Sequence, residues 1–154
     1  MPMAWMAYLA KHNRLAEWSA AMAQLASRYG VRWTIENPAD RGTKGSPAFW
    51  ARMSDHGSLW RHKAIVELRD TVPSGMVTFA QCAVPEGADV QKYTTMMYAA
   101  AMHDGMHGLA VCVCRCARHA EVAHGRDAHG QGRAELAAAY PRGLSRWIAV
   151  AAAR

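Results

Sequence analysis

Long apolar runs, phenylalanine, cysteine and acidic residues are all scarce in this chain, and each scarcity excludes something. No stretch of about 18 or more consecutive apolar residues occurs, so no membrane-spanning helix is expected. Met1 to Ala10 carry no charge and only Lys11 follows nearby, so a secretory peptide, which opens on a basic stretch, is not expected. Cysteine is limited to four residues, with Cys82 alone and Cys112, Cys114 and Cys116 crowded together. That spacing is too tight for an extracellular disulfide framework and fits reduced thiols or metal ligands in an intracellular protein. Only two of the 154 residues are phenylalanine, and alanine supplies much of the 51% hydrophobic content, so the expected core is thin. The length suits one domain. Acids number 12 against 18 lysines and arginines, a net charge of +6 that suits an acidic partner.

What is present reads as alternating helix and strand. Leu15, Trp18, Met22, Leu25 and Tyr29 recur at three- and four-residue steps, which predicts a helix over Trp5 to Tyr29 with Gly30 as its left-handed stop. Val31, Trp33 and Ile35 alternate with Arg32 and Thr34 as a short strand. Arg41 to Ser46 reads as a loop, and Ser46 with Pro47 as the start of a short helix. Leu59 to Arg69 reads as another helix, and Met76 to Val84, apolar on both faces, as a buried strand holding Cys82 as a structural thiol. Pro85 to Val90 turns the chain and Lys92 to Tyr98 returns antiparallel. Gly105 and Gly108 break the following stretch, leaving His103 and His107 in a loop, and Leu109 to Val113 fits strand or helix end equally. His124 to Gly132 reads as a loop, and Ala134 to Ala139 and Leu144 to Ala153 as helices. Trp18, Trp50 and Trp60 are assigned to packing.

Glu36-Asn37-Pro38 follows the first strand directly. Proline has no N–H for a ladder and restricts the residue before it, so Asn-Pro is expected to end the strand. Glu36 then lies at a strand's carboxyl end, where open α/β sheets place their ligands. The plainer alternative is a surface glutamate before a turn. Downstream come Arg41-Gly42, Pro47-Ala48-Phe49-Trp50, Asp55-His56-Gly57-Ser58-Leu59-Trp60, Phe79-Ala80-Gln81-Cys82-Ala83 and Gln91-Lys92-Tyr93-Thr94-Thr95. Cys114-x-Cys116-x-x-His119 and Ala139-Tyr140-Pro141-x-x-Leu144 complete the series. In this order the motifs resemble the C-terminal half of cytosine-C5 DNA methyltransferases of the phage and retroelement type, over about residues 17 to 150.

The resemblance implies an α/β fold: a partial Rossmann-like methyltransferase sheet with flanking helices and an antiparallel strand pair. It implies that Glu36 grips the Watson–Crick edge of a flipped cytosine, that Asn37 and Pro38 fix its loop, and that Arg41, Gln91 and Lys92 help bind base or phosphate. Lys92 and Thr94 stand where the family carries arginines. The glycine-rich methyl-donor loop and the Pro-Cys-Gln nucleophile loop are both missing from the sequence. The expectation is therefore a partial or decayed domain of mobile-element origin, non-catalytic alone, using S-adenosylmethionine only if a complementary protein half supplies the missing elements. Arg41, Lys44, Arg52, Arg61, His62 and Lys63 suit DNA phosphates in that setting, or a solvated face otherwise.

A second signal lies in Cys112-x-Cys114-x-Cys116-x-x-His119-x-x-x-x-His124. Soft thiolates and imidazoles suit tetrahedral zinc, and Cys114, Cys116, His119 and His124 form the preferred set. The alternative class is a non-enzymatic nucleic-acid-binding or zinc-stabilised module; if no metal binds, Cys112 and Cys114 are small buried hydrophobes and the histidines are solvated.

Overall fold

The computed structural model describes residues 3–46, 48–54, 57–86, 90–116, 121–122 and 140–154. Helix α1 spans Met3–Arg28. Its end is a Schellman motif around Gly30, which sits at φ +66°. The Gly30 N–H donates to the Ser27 carbonyl at 3.1 Å and the Val31 N–H to the Ala26 carbonyl at 2.8 Å, satisfying carbonyls the helix leaves open.

Strand β1 follows at Thr34–Pro38, three residues later than the alternation predicts. It lies at the edge of a three-stranded sheet of order β1–β4–β2, where β2 is Ser74–Ala80 and β4 is Tyr93–Ala99. Both pairings are antiparallel, and Glu36 stands opposite Met96 in mid-strand rather than beyond the strand's end. An edge strand is laddered on one side only, so Pro38 can be its last residue without removing a bond from the sheet interior. The expected antiparallel return after β2 is present. Val90–Gln91 (β3) pairs in parallel with Glu121–Val122 (β5) as a separate two-stranded element.

Alternation along β4 divides the interior in two. Met96 and Tyr98 face one cluster with Val77, Phe79, Met102, Met106, Leu109 and Leu144. Met97 faces the other, with Ala20, Ala23, Trp33, Trp60, Ile65 and Leu68. The second cluster is roofed by α1 and by α2 (Lys63–Thr71). The first is covered by α3 (His103–Met106) and α4 (Arg142–Ala153). The chain is thus a mixed helix and strand fold, with helices on both sides of a small antiparallel sheet.

Several elements depart from the sequence reading. Leu59 to Arg69 is two pieces: a 3-10 turn at Leu59–Arg61 and then α2. His62, extended at φ −65° and ψ 133°, interrupts them, and its Nδ1 accepts from the Ala64 N–H at 3.3 Å as the cap of α2. The short helix is a 3-10 turn at Ala51–Met53; Ser46 instead donates to the Asp40 carbonyl and accepts from the Ala48 N–H. Strand β2 starts earlier than expected and yields to a 3-10 turn at Gln81–Ala83, so Cys82 lies in a turn and not inside a strand. His103 is helical and His107 opens a 3-10 turn reaching Val111. Gly105 does not break α3, because its bare backbone lets α4 close in: a Cβ there would lie 2.5 Å from that of Ala151. The Trp147 indole N–H donates to the Gly105 carbonyl at 2.6 Å. Helix α4 begins two residues before the predicted Leu144. The predicted helix at Ala134 to Ala139 and the loop at His124 to Gly132 lie outside the described residues.

Helix α1 turns its small face inward. Ala16, Ala20 and Ala23 are buried, whereas Leu15, Met22 and Leu25 are exposed and Trp18 and Tyr29 are 62% and 77% exposed. Alanine allows a close approach between backbones that larger side chains would prevent. The packing role expected for Trp18 therefore does not hold, while Trp60 is buried with its indole N–H on the Pro38 carbonyl at 3.1 Å. Chemical denaturation should register the difference. Trp18→Ser should change stability by no more than about 0.5 kcal/mol, and Trp60→Ala should cost about 3–5 kcal/mol.

Candidate functional site

Strands β1 and β4 bring a polar cluster together on the sheet face that α4 covers. Opposed residues of an antiparallel pair point to the same side, so Glu36, beside Met96, shares its face with Thr94. The Glu36 Oε1 is 3.5 Å from the Lys92 Nζ and accepts from the Thr94 hydroxyl at 3.4 Å. Both charged side chains are largely withdrawn from solvent, at 19% exposed for Glu36 and 17% for Lys92. Behind them the Gln81 amide donates to the Thr94 hydroxyl at 2.9 Å, with both residues fully buried. Tyr140 closes the outer side, with its ring 5.9 Å from the Lys92 ammonium. Burial, the Glu36 charge and a hydrogen bond to that carboxylate push the Tyr140 hydroxyl well above its usual range.

The arrangement is held by backbone as well as side chains. The Ala39 N–H donates to the Tyr93 carbonyl at 3.0 Å, and the Gln81 N–H to the Lys92 carbonyl at 2.9 Å. Of the residues expected to bind a base, Glu36 and Lys92 meet directly. Asn37, opposite Thr95, is half-buried on the other face of the sheet, and Pro38 is exposed at the strand end. Gln91 contributes backbone to β3. Arg41 stands apart from the cluster, its guanidinium 6.0 Å above the Trp50 ring. Sequence reading missed Gln81 and Tyr140 as contributors; both lay inside motifs that had been singled out, but only the fold turns them toward Glu36.

The loop after β1 is built around Asp40. Its carboxylate accepts from the Gly42 N–H at 2.9 Å, the Thr43 N–H at 3.2 Å and the Thr43 hydroxyl at 2.8 Å. Burial raises this carboxyl, but the three hydrogen bonds and the Arg61 charge outweigh it and hold it below the ordinary value. Lys44, Arg52, Arg61 and Lys63 are exposed around this region of the sequence, while His62 is engaged in capping.

A second cluster adjoins the first through Cys82, the neighbour of Gln81. The sulfurs of Cys82, Cys114 and Cys116 all lie within 4.8 Å of one another. Burial, then the neighbouring Cys114 and Cys116, push the Cys82 thiol up to about 12. Cys112 does not join them; it is buried in the core against β2, and burial raises its thiol as well. Of the predicted ligand set, Cys114 and Cys116 come together and are joined by Cys82, while His119 and His124 lie outside the described residues. No spacing rule points to Cys82, which is 32 positions before Cys114. Away from both clusters, a groove of about 400 Å³ runs between Pro85, Glu86 and α4. None of the residues expected to bind base, phosphate or metal lines it.

Compared with family models, curated proteins and solved structures, the chain matches none.

Two measurements test this geometry. Thr94→Val should cost about 1–3 kcal/mol in denaturant unfolding, because the buried Gln81 amide loses its acceptor; a neutral effect would show that this bond contributes nothing. The second concerns pH. A carboxyl titrating below its unfolded value contributes stability that is present above about pH 3.9 and is lost as pH falls through the lower folded value. Asp40→Asn should flatten that acid limb, and an unaltered limb would remove Asp40 from the account.

Proposed function

We propose that this chain is a partial cytosine-C5 DNA methyltransferase-like domain, mobile-element derived, that binds DNA and holds an unpaired cytosine without catalysing methyl transfer alone. The observation that carries the reading is the Glu36–Lys92 pair at the sheet face. A carboxylate accepts from the exocyclic amino group of cytosine, and an ammonium donates to its carbonyl oxygen. Two such groups side by side complement one edge of that base. Thr94, itself held by Gln81, keeps the carboxylate oriented, so little side-chain freedom remains to be lost on binding. Base entry exchanges the Lys92 and Tyr140 contacts for contacts to the base.

The exposed cations Lys44, Arg52, Arg61 and Lys63 contact phosphates on this reading, and supply affinity without reading sequence. A complementary protein half would supply the parallel strands of a Rossmann-like sheet, the S-adenosylmethionine loop and the cysteine nucleophile. The exposed apolar stripe of α1 and the open edge of β1 are the surfaces such a half would cover. No helix of the described residues is long and apolar enough to cross a membrane, and no membrane role is proposed.

Binding to labelled duplexes tests the proposal. Affinity should fall steeply with salt, since counterion release supplies most of the free energy. Glu36→Gln should leave an ordinary duplex almost unaffected and weaken a duplex with one unpaired cytosine by about 1–3 kcal/mol. An equal loss on both substrates, or none on either, would remove the base-holding role. Calorimetry should detect no micromolar binding of S-adenosylmethionine by the chain alone; such binding would contradict the partial-domain reading.

A further inference from the structure

We propose that Cys82, Cys114 and Cys116 form a zinc site that staples the turn after β2 to the segment following the His107–Val111 turn. This inference stands on the sulfur geometry and does not depend on the DNA-binding reading. In tetrahedral zinc with Zn–S bonds of about 2.3 Å, sulfurs lie about 3.8 Å apart. Three sulfurs mutually within 4.8 Å need only a small contraction to reach that spacing. None of the four cysteines is in a disulfide. A disulfide would join two of the cluster's three sulfurs and leave the third over, whereas one metal ion uses all three.

The backbone explains why these three thiols converge and Cys112 does not. Cys112 is the centre of an inverse γ-turn, at φ −77° and ψ 71°, with the Val113 N–H donating to the Val111 carbonyl at 2.9 Å. Its own carbonyl accepts from the Ala80 N–H at 2.8 Å, which pins the segment to the end of β2. The turn sends Cys112 into the core and carries the chain onward, so that Cys114 and Cys116 meet Cys82. On the other side, the Gln81 N–H bond to the Lys92 carbonyl and the Val84 N–H bond to the Gln81 carbonyl fix the 3-10 turn that presents Cys82. Both arms of the site are thus positioned by main-chain bonds that need no metal. Cys82 and Cys114 are half-buried and Cys116 is exposed; the fourth tetrahedral position takes water or a further donor.

The site also has a consequence for its neighbour. Cys82 follows Gln81, whose amide supports Thr94 and through it Glu36. A metal that immobilises Cys82 therefore immobilises the back wall of the polar cluster.

The test uses the full chain, purified reduced and stripped of metal, titrated with zinc and separately with cobalt. Expected are stoichiometric zinc uptake, a higher melting temperature on loading, and a cobalt spectrum with strong sulfur-to-metal charge transfer and tetrahedral bands. Cys116→Ser, at the exposed corner, should fold yet lose stoichiometric uptake and weaken the charge-transfer band; Cys82→Ser should do the same. Cys112→Ala should retain both signals. Absence of uptake by the reduced chain would overturn the proposal, as would unchanged affinity in Cys116→Ser, or a purified chain that carries a disulfide within the cluster and no metal.

Discussion

Strand β4 carries two antiparallel ladders at once, and the rest of the molecule depends on that. Its pairing with β2 is local in sequence, while its pairing with β1 joins residues 56 to 64 positions apart and decides where the amino-terminal third docks. Each residue of β4 belongs to one of two cores according to its parity: Met96 and Tyr98 to the side of α4, Met97 to the side of α1 and α2. A one-residue slip of β1 against β4 would carry Glu36 to the opposite face, away from Thr94 and Lys92. The polar cluster therefore exists only because the register is held. The bonds that hold it beyond the ladder are the Ala39 and Ala99 amides and the Trp60 indole on Pro38.

The same strand links the two clusters. Thr94 projects into the interior, where it takes a bond from Gln81 and gives one to Glu36, and the residue after Gln81 is Cys82. Polar groups buried this deeply are stable only when satisfied, which makes the run from Gln81 to Glu36 cooperative rather than a set of independent contacts. Alanine dominates the α1 interface for a related reason. Methionine, leucine and a few aromatic side chains fill the two cores, and the helices close on them by short approaches, such as the Gly105–Ala151 contact and the Ala16, Ala20 and Ala23 face. The large apolar residues of α1 are left outside as a consequence.

What could be read from the sequence was the local signal. Gly30 stops α1 because only a residue at ease in the left-handed region closes that motif, and the antiparallel return of β4 follows from two apolar runs with a turn between them. Glu36 and Lys92 were both singled out, although their meeting was not visible. Three features were lost for physical reasons. Periodicity shows that a helix has an apolar stripe but not that an alanine face will win the interior, so Trp18 was placed wrongly. Pro38 looked like a strand terminator in advance of the ladder because edge position is a property of the sheet and not of the tripeptide. Cys82 gave no spacing signal because its partners reach it through tertiary structure, by way of the turn at Cys112. The Rossmann-like architecture was an expectation from resemblance; what the fold contains is the antiparallel unit with helices on both sides.

The central claim is that Glu36 and Lys92 act as one base-holding unit, and a double-mutant cycle tests it most directly. Glu36→Gln, Lys92→Met and the double variant would be compared for binding to a duplex with one unpaired cytosine, and for unfolding free energy. The account predicts non-additive losses in binding, with a coupling of about 0.5–3 kcal/mol that disappears on a fully paired duplex. Additive effects on binding, or a coupling that appears in unfolding alone, would contradict it and reduce the pair to a structural ion pair.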